Sequence, residues 1–376
     1  MKRRIITTLL LLTAVFSLAA QSSLSGEKTV LYLIPFYSRQ YSSDAVSKVK
    51  DCSDMQRINS FQLMGFWAGA QIALDEFNAA NVHLNVIVKD VTDNESALRA
   101  IMENRELMSR VDLIVGPFFS RTFTIAARYA KEYGIPIVNP FTTRPDILHD
   151  NEYVYKLIPS LETRAATVAF YSDMHPNSHI ILYADSMKSR KEYAAYVNYF
   201  RRNAIPFTHL PLQENLVNAL QANVKNIVIM LNSESAKMLM VSRDLIFKSD
   251  LKNLMLIVPE EWLMVPTYDI EYYTQLNIHF FSDYYIDESN ERTQVFEHNY
   301  LSKFGVPPSL ESFSYQGYDI TRYFVSAIFN DMDLDRVKME TIGYHFSFDK
   351  IPGGGYENIN TQFLEVDEKG IHDVGF

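Results

Sequence analysis

Cysteine is almost missing from this sequence: Cys52 is the sole thiol among 376 residues. One thiol forms no internal disulfide, so the core must hold the fold together, and Cys52 reads as a bystander in a loop. Positive charge is also in short supply. Lys and Arg number 35 against 45 Asp and Glu, a formal charge of −10. Nucleic-acid phosphates call for a basic footprint, so no nucleic-acid partner is expected, and the charge balance gives no expectation of a polybasic membrane patch either. The usual catalytic signatures are absent as well. The sequence holds no Gly-x-Ser-x-Gly elbow, His-Glu-x-x-His, Walker loop or Gly-x-Gly-x-x-Gly. His175 and His179 lie four apart, but Pro176 between them breaks the helix that a metal pair would need. Gly353-Gly354-Gly355 reads as a turn, since no helix follows to make a phosphate cradle. A protein that is not an enzyme, with no cofactor and no metal, is the expectation.

What is present starts with an address. Lys2, Arg3 and Arg4 precede an apolar run over residues 5–16 and the small residues Ser17, Ala19 and Ala20. A charged start, a short apolar core and small residues describe a secretory signal peptide over residues 1–20, cut near Ala19 or Ala20. The run is short of the roughly 20 apolar residues of a membrane span, and no later stretch reaches that length. No Cys follows the cut, as a lipid anchor would require. Cleavage leaves 32 basic against 45 acidic side chains. A periplasmic protein with no transmembrane segment after cleavage is expected.

The rest alternates strand and helix. Residues 29–37 are an apolar β run, and 38–60 read as a long loop insertion without periodicity. Helical spacing over 65–80 is followed by a strand at 84–90, a helix at 95–109, a strand through "DLIVGPF", a helix at 121–133 and a strand at 135–141. The pattern restarts with helices at 161–174, 188–203, 214–222 and 235–247 and strands at 179–185, 206–212 ("PFTHLPL", a short one), 226–232 and 254–262. Extended segments at 151–160 and 277–287 could cross between two units. Helices follow at 292–304 and 315–330, and the tail reads as a β hairpin or meander. The fold class is α/β: two doubly wound, parallel-sheet lobes joined by crossover strands. The N-terminal lobe is placed at 28–152 plus 286–338, and the C-terminal lobe at 153–285 plus 339–376. Ligands of such sheets bind outside the carboxyl ends of the strands. A cleft between lobes, closing about the crossing strands, is the default place for a small ligand.

The stretches "GAQIALDEFNAAN", "VIVKDVTDN", "DLIVGPFFSRTFTIAARYAKEYGIPIVNPFTT" and "YQGYDITRYFVSAI" stand in the order of a known family. Together they resemble the type I periplasmic binding proteins, the leucine/isoleucine/valine-binding and receptor ligand-binding family. The Gly pair that the family carries after Asn78-Ala79 is missing. The "GF.AG" helix start, the long insertion and "GGYEN" are similar to an envelope subgroup of LysM-associated substrate-binding-like proteins, although no LysM segment is evident.

The resemblance implies a binding site. In the family the turn at "GPFFSRT" and the following turn hold a ligand carboxylate. Carried over, the donors are Ser120 and the turn of Phe141, Thr142 and Thr143, with the two threonine hydroxyls. A helix N-terminus suits an anion through its unpaired N–H groups and partial positive charge. The bland alternative is that Ser120 is only an N-cap, worth about 1 kcal/mol. Phe118 and Phe119 are bulky for a tight anion site. Glu260, directly after Pro259 and beside Glu261, is the expected partner of a ligand ammonium. Tyr37 and Tyr284 are candidate cleft aromatics. Tyr318-Asp319 is expected to position the late helix, and Gly65-x-x-x-Gly69 to pack closely on the sheet. The implied function is a periplasmic solute-binding protein that captures an amino acid or related carboxylate for an ABC permease. The alternative is a cell-envelope protein-interaction module on the same fold, as in activators of peptidoglycan synthases. Fold alone does not choose between them.

Overall fold

A computed structural model describes residues 27–38, 59–248, 251–264 and 274–374. The expected signal segment, Cys52 and most of the 38–60 insertion lie outside the described residues. The chain divides into two compact units: Met1–Ile158 with Ile286–Asn358, and Pro159–Tyr285 with Ile359–Phe376.

The first unit opens with β1 (Lys28–Ile34), α1 (Asn59–Ala79), β2 (Leu84–Asp90), α2 (Glu95–Met102) and α3 (Arg105–Met108). It continues with β3 (Leu113–Val115), α4 (Ser120–Tyr133), β4 (Ile137–Asn139) and β5 (Val154–Lys156). β1 is apolar and buried from Val30 to Ile34, which is what a parallel strand covered on both faces requires. The helix expected over 95–109 is two helices. The Asn104 side chain accepts from the Leu107 amide at 3.0 Å, capping a new start and ending the old one. β3 ends at Gly116, whose φ of +91° suits glycine. A Cβ there would also lie 2.5 Å from the Leu33 carbonyl oxygen.

The second unit follows as α5 (Leu161–Met174), β6 (His179–Tyr183), α6 (Arg190–Arg202), β7 (Thr208–Leu210) and β8 (Asn226–Met230). It is completed by α7 (Ser235–Lys248), β9 (Leu254–Val258) and β10 (Ile278–Ser282). The helix expected at 214–222 is only a 3₁₀ turn, Leu216–Ala219, held by Asn215 accepting from the Val217 amide. The chain then returns to the first unit as α8 (Glu291–Phe304), α9 (Ser314–Phe329), β11 (Phe348–Lys350) and β12 (Tyr356–Asn358), before β13 (Gln362–Asp367) and β14 (Gly370–Asp373) close the second.

Each unit holds one seven-stranded sheet, in the orders β11-β12-β5-β4-β3-β1-β2 and β14-β13-β10-β9-β8-β6-β7. The central ladders are parallel, and antiparallel pairs occur at β11–β12, β10–β13 and β13–β14. The tail therefore forms hairpins in both sheets. Residues 153–158 and 339–358, assigned from sequence to the C-terminal lobe, belong to the first unit. The cause is visible in the β5–β12 pair. Tyr155 stacks on Tyr356 at 4.8 Å, and the buried Lys156 ammonium meets the Glu357 carboxylate at 2.9 Å.

The glycines of α1 do not pack on the sheet as expected. Gly69 faces α9, and Gly65 the residue Ser312 before it. A Cβ on Gly69 would lie 1.7 Å from the Ser314 carbonyl oxygen, and one on Gly317 would lie 1.9 Å from that of Phe66. Two backbones in such contact tolerate no side chain between them. Asp319 on α9 is fully buried and accepts from the amides of Ile342, Gly343 and Tyr344 at 2.7, 2.8 and 3.1 Å. It anchors the strand-ward chain to the helix, the structural role its position suggested. Among the described residues, no helix is long and apolar enough to cross a membrane.

Candidate functional site

In the second unit, the carboxyl ends of the parallel strands open into a pocket of about 410 Å³. The chain leaving β6 brings Lys188 and Ser189, that leaving β8 brings Asn232 and Ser233, and that leaving β9 brings Glu260 and Glu261. Arg164, on the first turn of α5, and Phe281 of β10 complete it. Parallel strands end in loops at this edge, so polar side chains gather there without disturbing the sheet.

The charges are of both signs. Arg164 meets Asp283 at 3.0 Å and lies over the Phe281 ring, 5.8 Å from its centroid. Lys188 pairs with Glu234 at 2.8 Å in an exposed bridge. Glu260 accepts a long hydrogen bond, 3.4 Å, from the Ser282 hydroxyl. The residue is exposed by area, yet burial of its carboxyl pushes its pKa up. The Ser282 bond opposes that shift, and Asp283 adds to it. The rim is stiffened from below. The buried Trp262 indole donates to the Asn232 carbonyl at 2.8 Å, and Ser189 donates to that of Leu231. The pocket thus offers a guanidinium for an anion and carboxylates for a cation.

The corresponding edge of the first unit is arranged otherwise. The Phe141 and Thr142 amides, expected to hold a ligand carboxylate, already donate to the Asn139 side-chain oxygen at 3.1 and 2.7 Å. Thr142 is buried, and its hydroxyl oxygen accepts from the Arg144 amide at 3.2 Å, while Thr143 is exposed. Ser120 is not the N-cap. Phe119 occupies that position with no side-chain bond, and Ser120 is the first helical residue. Aromatic rings crowd this edge: Phe118 lies 4.9 Å from Phe66 and 5.3 Å from Phe141, and Phe141 lies 4.5 Å from Phe313. Tyr37 sets its ring edge-on to Phe119 at 6.5 Å, and its amide donates to Asp90 at 3.2 Å. Burial, with Asp93 and Asp90 nearby, raises its phenol.

Of the expected residues, Glu260 lines the second unit's pocket. Ser120, Phe141, Thr142, Thr143 and Tyr37 belong to the first unit. Tyr284 is half-buried beside β10, and its carbonyl accepts from Ser282 at 3.2 Å. Sequence reasoning missed Arg164, Lys188, Ser189, Asn232 and Ser233. Lys188, Ser189 and Ser233 follow the ends of predicted strands and Asn232 ends one, in "YADSMKS" and "MLNSES", and that position was a usable signal. Arg164, inside a helical pattern, carried none.

This architecture has known counterparts. The family model for the receptor family ligand-binding region matches residues 68–255, half of the chain. The chain belongs to that family, on the type I periplasmic binding protein fold. A search of curated proteins finds no match. Among solved structures, an ABC transporter substrate-binding protein from Desulfitobacterium hafniense, in complex with Leu, is similar over 93% of this chain and 100% of its own. Its identity is 17% and its TM-score 0.53. A protein from Rhodospirillum rubrum, provisionally described as a branched-chain amino acid ABC transporter, is 14% identical with a TM-score of 0.61 over 93% of this chain and 100% of its own. Full-length LpoA from Haemophilus influenzae is 13% identical with a TM-score of 0.58, over 93% of this chain and 59% of LpoA. At such identities the likeness carries the fold.

Proposed function

We propose that this chain is an exported, non-enzymatic binding protein of the periplasm that captures a small zwitterion, an amino acid or related carboxylate. The carrying observation is the second unit's pocket, where Arg164 and the Glu260–Glu261 pair line one space of about 410 Å³. A guanidinium fork matches a carboxylate with two parallel hydrogen bonds. A carboxylate beside it accepts an ammonium, and Ser233 and Asn232 supply neutral polar contacts. The volume falls in the range of small-molecule sites. Carboxylate recognition is thereby assigned to Arg164, not to the Phe141–Thr142 amides, which Asn139 occupies. An ABC permease is the partner class this reading calls for.

The test is a thermal-shift screen of amino acids, short peptides, sugars and peptidoglycan fragments. A ligand at 100 times its dissociation constant stabilises by about 2.7 kcal/mol, a visible rise in melting temperature. The expected hit is an amino acid or small carboxylate, lost on Arg164→Ala with Glu260→Ala and kept on Ser120→Ala. A hit that survives the double substitution would remove this pocket from the proposal.

A second reading has its own observation. The aromatic crowding of Phe66, Phe118, Phe141 and Phe313 fills the strand ends of the first unit. That suits an envelope protein-interaction module which kept the fold and gave up its ligand, as in activators of peptidoglycan synthases. A flat screen from folded protein, with a specific cross-link to one envelope protein, would establish it over the first.

A further inference from the structure

We infer that the first unit carries a second binding site, for a multivalent oxyanion of the phosphate class, in an open groove of about 470 Å³ along α2 and α4. Arg99, Arg121, Arg128 and Arg144 all line it, together with the hydroxyl residues Ser120 and Thr124. Glu95 is the acidic residue of the lining. Four cations in one groove stand out in a chain of formal charge −10.

The helical spacing builds the groove. Ser120, Thr124 and Arg128 recur every four residues of α4, and so share one face. Arg121 lies two turns before Arg128 on the neighbouring row. α2 brings Arg99 one turn after Glu95, and the turn after β4 brings Arg144. Three separate segments therefore converge their guanidinium groups.

Internal neutralisation is incomplete. Glu95 answers two arginines, meeting Arg121 closely and Arg99 at 4.0 Å. Arg144 pairs with Asp146. Arg128 makes no ion pair among the described residues. Glu95 and Arg99 are half-buried and Arg144 grips Asp146 with two nitrogens, so an anion has to compete with these pairs, and the exposed Arg128 is the guanidinium it meets without an ion pair. A monovalent carboxylate would leave most of the positive charge unanswered. A phosphate or pyrophosphate group offers several oxygens and at least two charges, and arginine forks bind such oxygens bidentately. An ordinary solvated helix face would instead intersperse the two signs. This site lies in the first unit and does not rest on the zwitterion pocket of the second.

The test uses the full chain and inorganic pyrophosphate, titrated by calorimetry at low ionic strength. Binding at one site is expected, weakened tenfold or more by Arg128→Gln with Arg144→Gln, and weakened by added salt as exposed charges are screened. Arg190→Gln, on a helix of the second unit, should leave it unchanged. A parallel arm sediments the protein with phosphatidylglycerol vesicles. Sedimentation that pyrophosphate releases and the double substitution abolishes supports the site and identifies a lipid headgroup as its source. Binding of pyrophosphate without sedimentation supports it and identifies a soluble phosphate compound. Absence of both, or binding that the double substitution leaves intact, overturns the inference.

Discussion

The two units share one sheet design and treat the carboxyl ends of their strands differently. In the first, the turn amides and the buried ammonium are paired internally, although the Asn139 side-chain nitrogen is itself buried without a partner. Asn139 takes the turn amides, Asp319 takes three more, Glu357 takes Lys156, and phenylalanines pack over the edge. In the second, Arg164, Lys188, Glu260 and Glu261 line an open pocket. One fold thus supports a closed edge and an open one. The difference lies in the kind of pairing: side chains of the first unit hold the turn amides in buried bonds, whereas Arg164 and Lys188 of the second are paired with Asp283 and Glu234 at a half-buried to exposed rim. A polar group already paired gains little from a ligand, whereas charges at a wet rim can exchange partners.

The strongest way to break the closed unit is Glu357→Ala. It leaves the Lys156 ammonium buried beside a missing carboxylate, at an expected cost of about 3–5 kcal/mol. Urea unfolding measures it, and a loss below about 1 kcal/mol would show that the pair does not tie β12 to β5. Ligand binding in the second unit should persist under conditions where this variant stays folded.

Acid should instead weaken the second unit. His279 on β10 is buried, and that burial, with Lys225 and His372 nearby, pushes its pKa down to about 4, against the bond to the Asn277 carbonyl that raises it. The unfolded chain protonates near 6.5, so it binds the proton first. Stability is complete above 6.5 and falls as pH drops towards 4, by about 3 kcal/mol in all. His279→Asn should flatten that slope. Melting curves between pH 7 and 4 that superimpose for both proteins would contradict it.

Asn139→Ala should cost about 2 kcal/mol by stranding the amides of Phe141 and Thr142. It also sharpens the contrast between the edges, because it frees the two donors that resemblance assigns to a carboxylate. If the variant then gains affinity for acetate or a small amino acid, Asn139 is what closes that edge.

Smaller effects follow at the rims. Burial raises the Glu260 pKa, so ionisation is less favourable in the folded state, and stability is lost as pH rises through the folded value. Glu260→Gln should therefore stabilise slightly at neutral pH, by about 0.5 kcal/mol or less given its exposure to solvent. A melting temperature lower than that of the parent would reverse the assigned sign. Ser120→Ala should change stability by less than about 0.5 kcal/mol, because Phe119 is the N-cap and no capping bond is lost. A loss near 1 kcal/mol would restore Ser120 as a cap.

Most of the architecture was legible in the residues. The apolar runs "VLYLI", "LIV" and "NIVIM" are buried on both faces in parallel sheets, and that burial demands continuous apolar sequence. Helical periodicity marked α4, α5, α8 and α9 to within a few residues. Glu260 could be placed beside a strand's carboxyl end from "LIVPEE" alone. These are local signals, set by which side chains a covered strand or an amphipathic helix can hold.

Long-range pairing decided the rest. Nothing near Glu357 or Tyr356 reports that Lys156 and Tyr155, some 200 residues earlier, are their partners, yet that pairing moves residues 339–358 into the first unit. Gly69 of α1 meets α9, and Gly65 the residue Ser312 before it, rather than the sheet, because close helix contact depends on the opposing backbone. Arg164 becomes a pocket residue only when α5 is laid beside the ends of β8 and β9. The Phe141 and Thr142 amides become unavailable only because the Asn139 side chain folds back upon them. Periodicity records how exposed a position is to solvent. The identity of its partner is set by a contact that exists only after the chain has folded.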